Sequence, residues 1–268
     1  MVRALAVGGC VDPEGEAAAL VEAASDGAGA LDDLLARRLR GEPLAWITGF
    51  VRFCGVRVRM DPGVFVPRPH TEALARRAVE LLPDRGIAVD LCTGSGAVAV
   101  VLRSARPNAT VLATDVDPVA VTCARRNGVG ALLGDLDEPV PSEVRGRVDV
   151  VTAVVPYVPA EELHLLPRDV LEREPRHALD GGPGGTAILV RAADAAARLL
   201  GPGGGVLFEL GGDQAGEIAR VLSERELSEI SVLRDEDGRD RAIEAKRSQR
   251  SSRSSSTRNA ATGRTRRV

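Results

Sequence analysis

Aromatic residues are scarce in this chain, with one Trp, one Tyr and four Phe among 268 residues. Six rings are too few for the stacking platform on which single-stranded nucleic acid lies. Cysteine is sparse as well, and Cys10, Cys54, Cys92 and Cys123 form no Cys-x-x-Cys pair. That spacing argues against a zinc ligand set and against a disulfide framework, so no metal is expected and all four read as small buried fillers. No run approaches the ~18 apolar residues of a membrane span. The N-terminus lacks the basic-then-apolar layout of a signal peptide. The expectation is a monomeric cytoplasmic protein with no membrane contact.

What is present divides unevenly. Residues 246–268 carry eight basic side chains (Lys246, Arg247, Arg250, Arg253, Arg258, Arg264, Arg266, Arg267) and no acid. With a net charge of −3 overall, the first 245 residues therefore hold −11. Serine-rich and without apolar periodicity, 246–268 cannot bury a core and reads as a disordered tail. A solvated extension is the plain reading; weak electrostatic contact with RNA or a ribosome is the alternative. The rest, in a chain that is 44% hydrophobic, suffices for one α/β domain with a small appendage.

The most informative stretch is 87–104. Residues 87–91 read as a short buried strand, followed by a small-residue loop and an apolar helix over 97–104. Gly94 and Gly96 let backbone N–H groups approach a ligand that any Cβ would hold off, and the helix N-terminus adds the positive end of a dipole. The next apolar run, 110–114, leads into Asp115, where a carboxylate can accept hydrogen bonds from both hydroxyls of a ribose. A nucleoside-containing ligand follows. Gly94 to Ala99 also passes as a relaxed dinucleotide fingerprint with an acid about 20 residues on, so a nicotinamide or flavin enzyme and a plain glycine turn stay open on this motif. Asp90 favours another ligand. An acid closing the first strand, before Thr93-Gly94-Ser95-Gly96, suits an amino-acid ammonium without a pyrophosphate, and S-adenosylmethionine is such a ligand. The string 90–96 resembles the first motif of class I methyltransferases, and Asp115 sits where their ribose-binding acid falls.

Around this stretch the chain reads as four segments. Residues 1–45 form a small helical domain, with two helices over 12–40 separated at 27–29. Residues 46–69 form a β-hairpin linker, with strands 51–53 and 56–58 turning at Cys54-Gly55. Trp46, Phe50, Phe53 and Phe65 cluster there and are expected to pack the hairpin on the main domain. From 70 to 245 helix and strand alternate: helices 71–82, 97–104, 118–126, 189–200 and 213–222, and strands 87–91, 111–115, 131–133, 148–153 and 205–210. A final hairpin, 230–234 with 239–245, turns at Asp237-Gly238. The tail closes the chain.

Gly41-Glu42-Pro43-Leu44, the hairpin, and Pro62-Gly63-Val64-Phe65-Val66-Pro67-Arg68-Pro69 with Thr71-Glu72 look like the linker of the glutamine-amide methyltransferases that modify peptide-chain release factors. That family has Glu where this chain has His70, which is read here as a solvated helix-start residue. The resemblance implies the Rossmann-like class I methyltransferase fold, an α/β seven-stranded sheet with a small N-terminal helical domain and a β-hairpin linker. It implies S-adenosylmethionine as cofactor, held by Asp90, Cys92, Thr93, Gly94, Ser95, Gly96, Asp115, Val116, Asp135 and Leu136, with Asp135 or its neighbouring N–H at the adenine edge. The implied partner is a protein substrate such as a release factor.

The reacting loop is then Val154, Val155, Pro156 and Tyr157, where the resembled family reads Asn-Pro-Pro-Tyr. In that family the Asn oxygen and the next backbone carbonyl accept both hydrogens of a primary amide and turn its nitrogen toward the methyl group. Placement and in-line alignment supply most of the rate. Valine accepts no hydrogen bond. An unpaired amide donor costs ~1–3 kcal/mol, roughly tenfold to a hundredfold or more in rate. Three readings follow: reduced glutamine methylation, a different substrate, or a retired enzyme that still binds the cofactor. A methyltransferase for nucleic-acid adenine amino groups is a further alternative, since those enzymes use a related loop. Glu174 to Gly182 also resembles the family, and reads equally as a lid or as a loop on the sheet edge. His164 and His177 read as structural or exposed.

Overall fold

The structure is a computed structural model and describes residues 1–249. The chain opens with α1 (Val2–Val7), α2 (Pro13–Ser25), α3 (Leu31–Leu39) and α4 (Leu44–Thr48). Asp12 starts α2 by accepting a hydrogen bond from Gly15 N at 3.0 Å, with Pro13 in the first helical position. These helices enclose a core of their own around Leu5, Leu20, Leu34 and Ile47. α1 was not expected from the sequence; its single buried residue, Leu5, gives too little pattern to announce a helix. α4 runs across the boundary expected at residue 45.

The hairpin β1 (Phe50–Phe53) and β2 (Val56–Arg59) comes next. It is tied back to the helices by Arg52–Glu22 at 3.0 Å and Arg57–Asp26 at 3.1 Å, both exposed and so worth little singly. Trp46 is buried and donates from Nε1 to the Val64 carbonyl at 2.9 Å. Phe53, 1% exposed, carries the hairpin onto the main core.

The main domain follows as α5 (Thr71–Leu81), β3 (Ile87–Leu91), α6 (Ala97–Ala105), β4 (Thr110–Asp115), α7 (Pro118–Arg126), β5 (Gly130–Leu133) and β6 (Val148–Ala153). Its second half contains α8 (Arg168–Arg173), α9 (Ala187–Leu199), β7 (Leu200–Glu209), α10 (Ala215–Glu224), β8 (Leu227–Arg234) and β9 (Asp240–Arg247). The seven-stranded sheet has the order β5-β4-β3-β6-β7-β9-β8, parallel except at β9 and its partners. From β3 the chain moves outward through β4 to β5, then returns to lay β6 on the other side of β3. That reversal opens a crevice at the carboxyl ends of β3 and β6, where open α/β sheets bind their ligands. Alternation along the strands divides the core between two faces. Val151 and Phe208 meet α9 and α10 on one, and Val150 and Leu207 meet α5 and α6 on the other.

Boundaries shift where glycine blurs the pattern. β7 begins at Leu200 instead of 205, because the strand continues through a register irregularity opposite Val148 and Val150, with Gly203 at φ +79°. β9 runs to Arg247, two residues into the span expected as tail, pairing Arg247 with Leu227. Residues 250–268, which carry the rest of the expected tail, lie outside the described residues. The cysteine reading also needs correction. Only Cys123 is buried, while Cys10, Cys54 and Cys92 are partly exposed because each lies in or beside a turn rather than within a helix or strand core. Among the described residues no helix is long and apolar enough to cross a membrane.

One ion pair fastens α5 to the sheet. Arg77 binds Glu244 of β9 through Nε at 2.6 Å and Nη2 at 2.9 Å, and the carboxylate is buried. Arg77→Met should leave that charge uncompensated and cost about 1–3 kcal/mol, discounted from a fully buried pair because the arginine is partly exposed. Urea denaturation checks it; an unchanged midpoint would show that the pair contributes nothing.

Candidate active site

The crevice holds a cavity of about 770 Å³, its open mouth included, within the size range of small-molecule sites. Asp90 ends β3 beneath it, 2% exposed. Thr93 Oγ1 donates to Asp90 Oδ2 and Thr152 Oγ1 to Asp90 Oδ1, both at 2.6 Å. The second contact follows from register, since β3 and β6 pair Asp90 with Thr152. Burial pushes the Asp90 carboxyl up from an ordinary 3.8 to about 6, against the two hydroxyl bonds and helped by nearby Asp115.

Above it the glycine loop is fastened to Asp115. Gly94 N donates to Asp115 Oδ2 at 2.8 Å and Asp117 N to Oδ1 at 2.9 Å. Burial raises the Asp115 pKa, and these two N–H groups oppose the rise. Gly96, at φ +82°, caps α6; a Cβ there would come within 3.1 Å of Val129 and 3.2 Å of Ala124. Asn127 anchors the loop from outside, donating to Ser95 O at 2.8 Å while accepting from Arg59 N at 2.8 Å. The loop and the hairpin are thus held by one side chain.

The cavity wall brings together Asp90, Cys92, Thr93, Gly94, Ser95, Asp115, Val116, Val154 and Pro156 of the residues expected from sequence. It adds Phe53 and Phe65 of the aromatic cluster expected to pack the hairpin, and Thr71, Asp117 and His177, which were not expected at the ligand. Among the described residues three carboxylates line this wall and no Lys or Arg does. Such a wall favours a cation and repels a pyrophosphate. Gly96 is packed behind the wall. Asp135 and Leu136 lie in a separate shallow pocket, where Asp135 is paired with Arg191. Cys92, at φ +53°, turns out of the strand into the cavity.

A second chamber adjoins the first. Val154, Val155 and Tyr157 line it with Arg68, Leu166 and Leu179, and Phe65, Val154 and Ala178 belong to both. Val154 therefore stands where the two spaces meet. The segment 174–182 contributes Pro175, His177 and Ala178 to the first cavity, with His177 Nε2 3.2 Å from Asp117 Oδ2 at the mouth. Glu174 is buried and accepts from Arg68 Nη2 at 2.8 Å, joining two sequence motifs 106 residues apart. His70 is not the solvated residue expected. It is 28% exposed in its side chain, and Nε2 lies 3.3 Å from the buried Glu209, because the turn into α5 lies over the end of β7.

No family model matches the chain. Individual relatives do. The release factor glutamine methyltransferase of Geobacter sulfurreducens is 34% identical over 216 residues, covering 78% of this chain and 75% of the relative. That of Moorella thermoacetica is 36% identical, with 92% and 95% covered. The chain belongs to the release factor glutamine methyltransferase family. A solved ribosomal protein L11 methylase from Lactobacillus delbrueckii subsp. bulgaricus shares the fold, with a TM-score of 0.51 at 21% identity over 72% of this chain and 86% of that one.

Within the release factor glutamine methyltransferase family, the buried acid of this chain carries a testable cost. Asp90 ionises near 3.8 when unfolded and near 6 when folded, so folding is penalised once pH rises through that window. Asp90→Asn should stabilise the ligand-free protein at pH 7 by up to about 3 kcal/mol, a gain that vanishes below about pH 4. Denaturation at both pH values checks this, and a loss of stability at pH 7 would show that the hydroxyl bonds outweigh desolvation.

Proposed function

We propose that this chain transfers a methyl group from S-adenosylmethionine to a glutamine side-chain amide of a peptide-chain release factor, acting as a monomer in the cytoplasm. The observation that carries the reading is the acidic cavity at the β3/β6 crossover opening through Val154 into a second chamber. Family membership supplies the substrate class.

The residues fit the cofactor. Buried Ser95 Oγ and Thr71 Oγ1 on the cavity wall have no hydrogen-bond partner among the described residues, which suits a polar ligand. Asp115 keeps lone pairs for ribose hydroxyls, and Asp90 supplies negative charge for an ammonium. When bound, S-adenosylmethionine supplies an electrophilic methyl on a sulfonium. The chain's own part is placement and exclusion of water. The Val154 carbonyl accepts one amide hydrogen, Phe65 and Ala178 narrow the passage, and the 174–182 segment covers the mouth. An amide nitrogen loses its proton readily once methylated, so no strong base is required of His164 or His177.

The adenine reading is less well supported, because a phosphate-bearing substrate would meet three carboxylates and no Lys or Arg at the cavity. Incubation with labelled S-adenosylmethionine and a purified release factor, followed by peptide mass spectrometry, should place the label on a glutamine amide. Label found only on nucleic acid, or on no macromolecule, would overturn the proposal.

A pH dependence follows. A cation binds the ionised form of Asp90 and lowers its pKa in the complex, so affinity for S-adenosylmethionine should be level above about pH 7. It should weaken as pH falls through 6, by up to about tenfold per unit. Calorimetric titration between pH 5 and 8 tests the sign; affinity that rises on acidification would exclude Asp90 as the ammonium partner.

A further inference from the structure

The end of β7 carries an unsatisfied charge beside the acceptor chamber. Register pairs Ala153, the last residue of β6, with Phe208 of β7, so Val154 and Glu209 are the residues that directly follow this paired position. Glu209 is 1% exposed, and neither carboxylate oxygen has a hydrogen-bond partner among the described residues. The cations nearby are engaged elsewhere: Arg68 Nη2 with Glu174 at 2.8 Å, and Arg241 Nε with Asp235 at 2.7 Å. His70 Nε2 approaches Glu209 Oε1 to 3.3 Å without completing a hydrogen bond. A buried acceptor left in this state costs about 1–3 kcal/mol and calls for a donor.

Tyr157 can provide it. Its ring is seated against Gly211, two residues beyond Glu209, where a Cβ would come within 2.6 Å of Cδ2, and the Glu209 charge reaches its phenol. The Tyr157 carbonyl is held as well, accepting from Gln214 Nε2 at 2.9 Å. The same residue lines the acceptor chamber with Val154. We infer that the Tyr157 hydroxyl donates its proton to Glu209 and accepts the second hydrogen of the substrate amide, replacing the side-chain oxygen that Val154 lacks.

The chemistry is consistent. Burial first, and the Glu209 charge second, push the Tyr157 phenol up, so it stays protonated. Its one proton goes to the carboxylate, and its lone pairs remain for an N–H. Glu209 is then a positioning residue acting through Tyr157, with His70 steadying it from α5. The inference rests on the glutamine-amide reading proposed above.

The test measures methyl transfer from labelled S-adenosylmethionine to a purified release factor by the full chain and by Tyr157→Phe, Val154→Asn and their combination. Tyr157→Phe alone should lower kcat/KM for the release factor by about tenfold to a hundredfold and leave KM for S-adenosylmethionine unchanged. With Asn at position 154 restoring an acceptor, the same change should cost less than about threefold, as expected for coupled groups. Glu209→Gln should reproduce the loss and add little to Tyr157→Phe. Thermal shift with S-adenosylmethionine confirms folding of each variant. Equal cost of Tyr157→Phe in both backgrounds, or no cost, overturns the inference while transfer by the parent chain upholds the glutamine reading. No transfer by the parent chain overturns both.

Discussion

Asp90 keeps a carboxylate under the floor of the crevice, where β3 stops and the glycine loop begins. Its neighbours are arranged by that charge. Thr93 reaches down from the loop and Thr152 across from β6, each donating at 2.6 Å, and burial still lifts the acid to about 6. A group held this way favours a positive ligand over any neutral state of the site. Asp115 extends the same negative field while holding Gly94 and Asp117 in place. The site is electrostatically incomplete until a cation arrives, which accounts for a stability cost retained at a binding site.

The acceptor side is organised differently. Arg68 and Glu174, from distant motifs, form one ion pair that joins the linker to the segment over the cavity. Asn127 couples the hairpin to the glycine loop. The hairpin and linker thus bear on both chambers, through Phe53 and Phe65 in the first and Phe65 and Arg68 in the second. Against that scaffold of contacts, two of the departures from the resembled pattern, His70 and Val154, lie near the ends of β7 and β6. His70 faces Glu209, and Val154 and Glu209 directly follow the paired Ala153 and Phe208. A loss of hydrogen-bonding capacity at one strand end is therefore matched by unused capacity at the next.

Most of the fold is legible in the chain because period and punctuation agree. The uniformly apolar run at β6 marks a central strand, Pro118 opens α7, and Asp237-Gly238 turns the last hairpin. Legibility fails where side chains are small or polar. Gly201 to Gly204 conceal the start of β7, and α1 has one buried residue. The site shows the same division. Asp90, Gly94 and Asp115 are local in sequence, so their grouping is readable; Phe53, Thr71, Asp117 and His177 reach the cavity only through folding.

The amino-acid sequence by itself determined the order of strands and helices, the glycine loop with its two acids, and the valine where a family side-chain acceptor is expected. These are matters of local geometry and chemical type, which neighbouring residues suffice to express. Tertiary structure alone decided that Asp135 pairs with Arg191 instead of lining the cavity, that His70 is drawn toward a buried carboxylate, and that Ala153 and Phe208 are partners at the ends of β6 and β7. The physical reason is register: pairing β6 with β7 places residues 55 positions apart side by side, and no pattern within either strand records which residue its neighbour will meet.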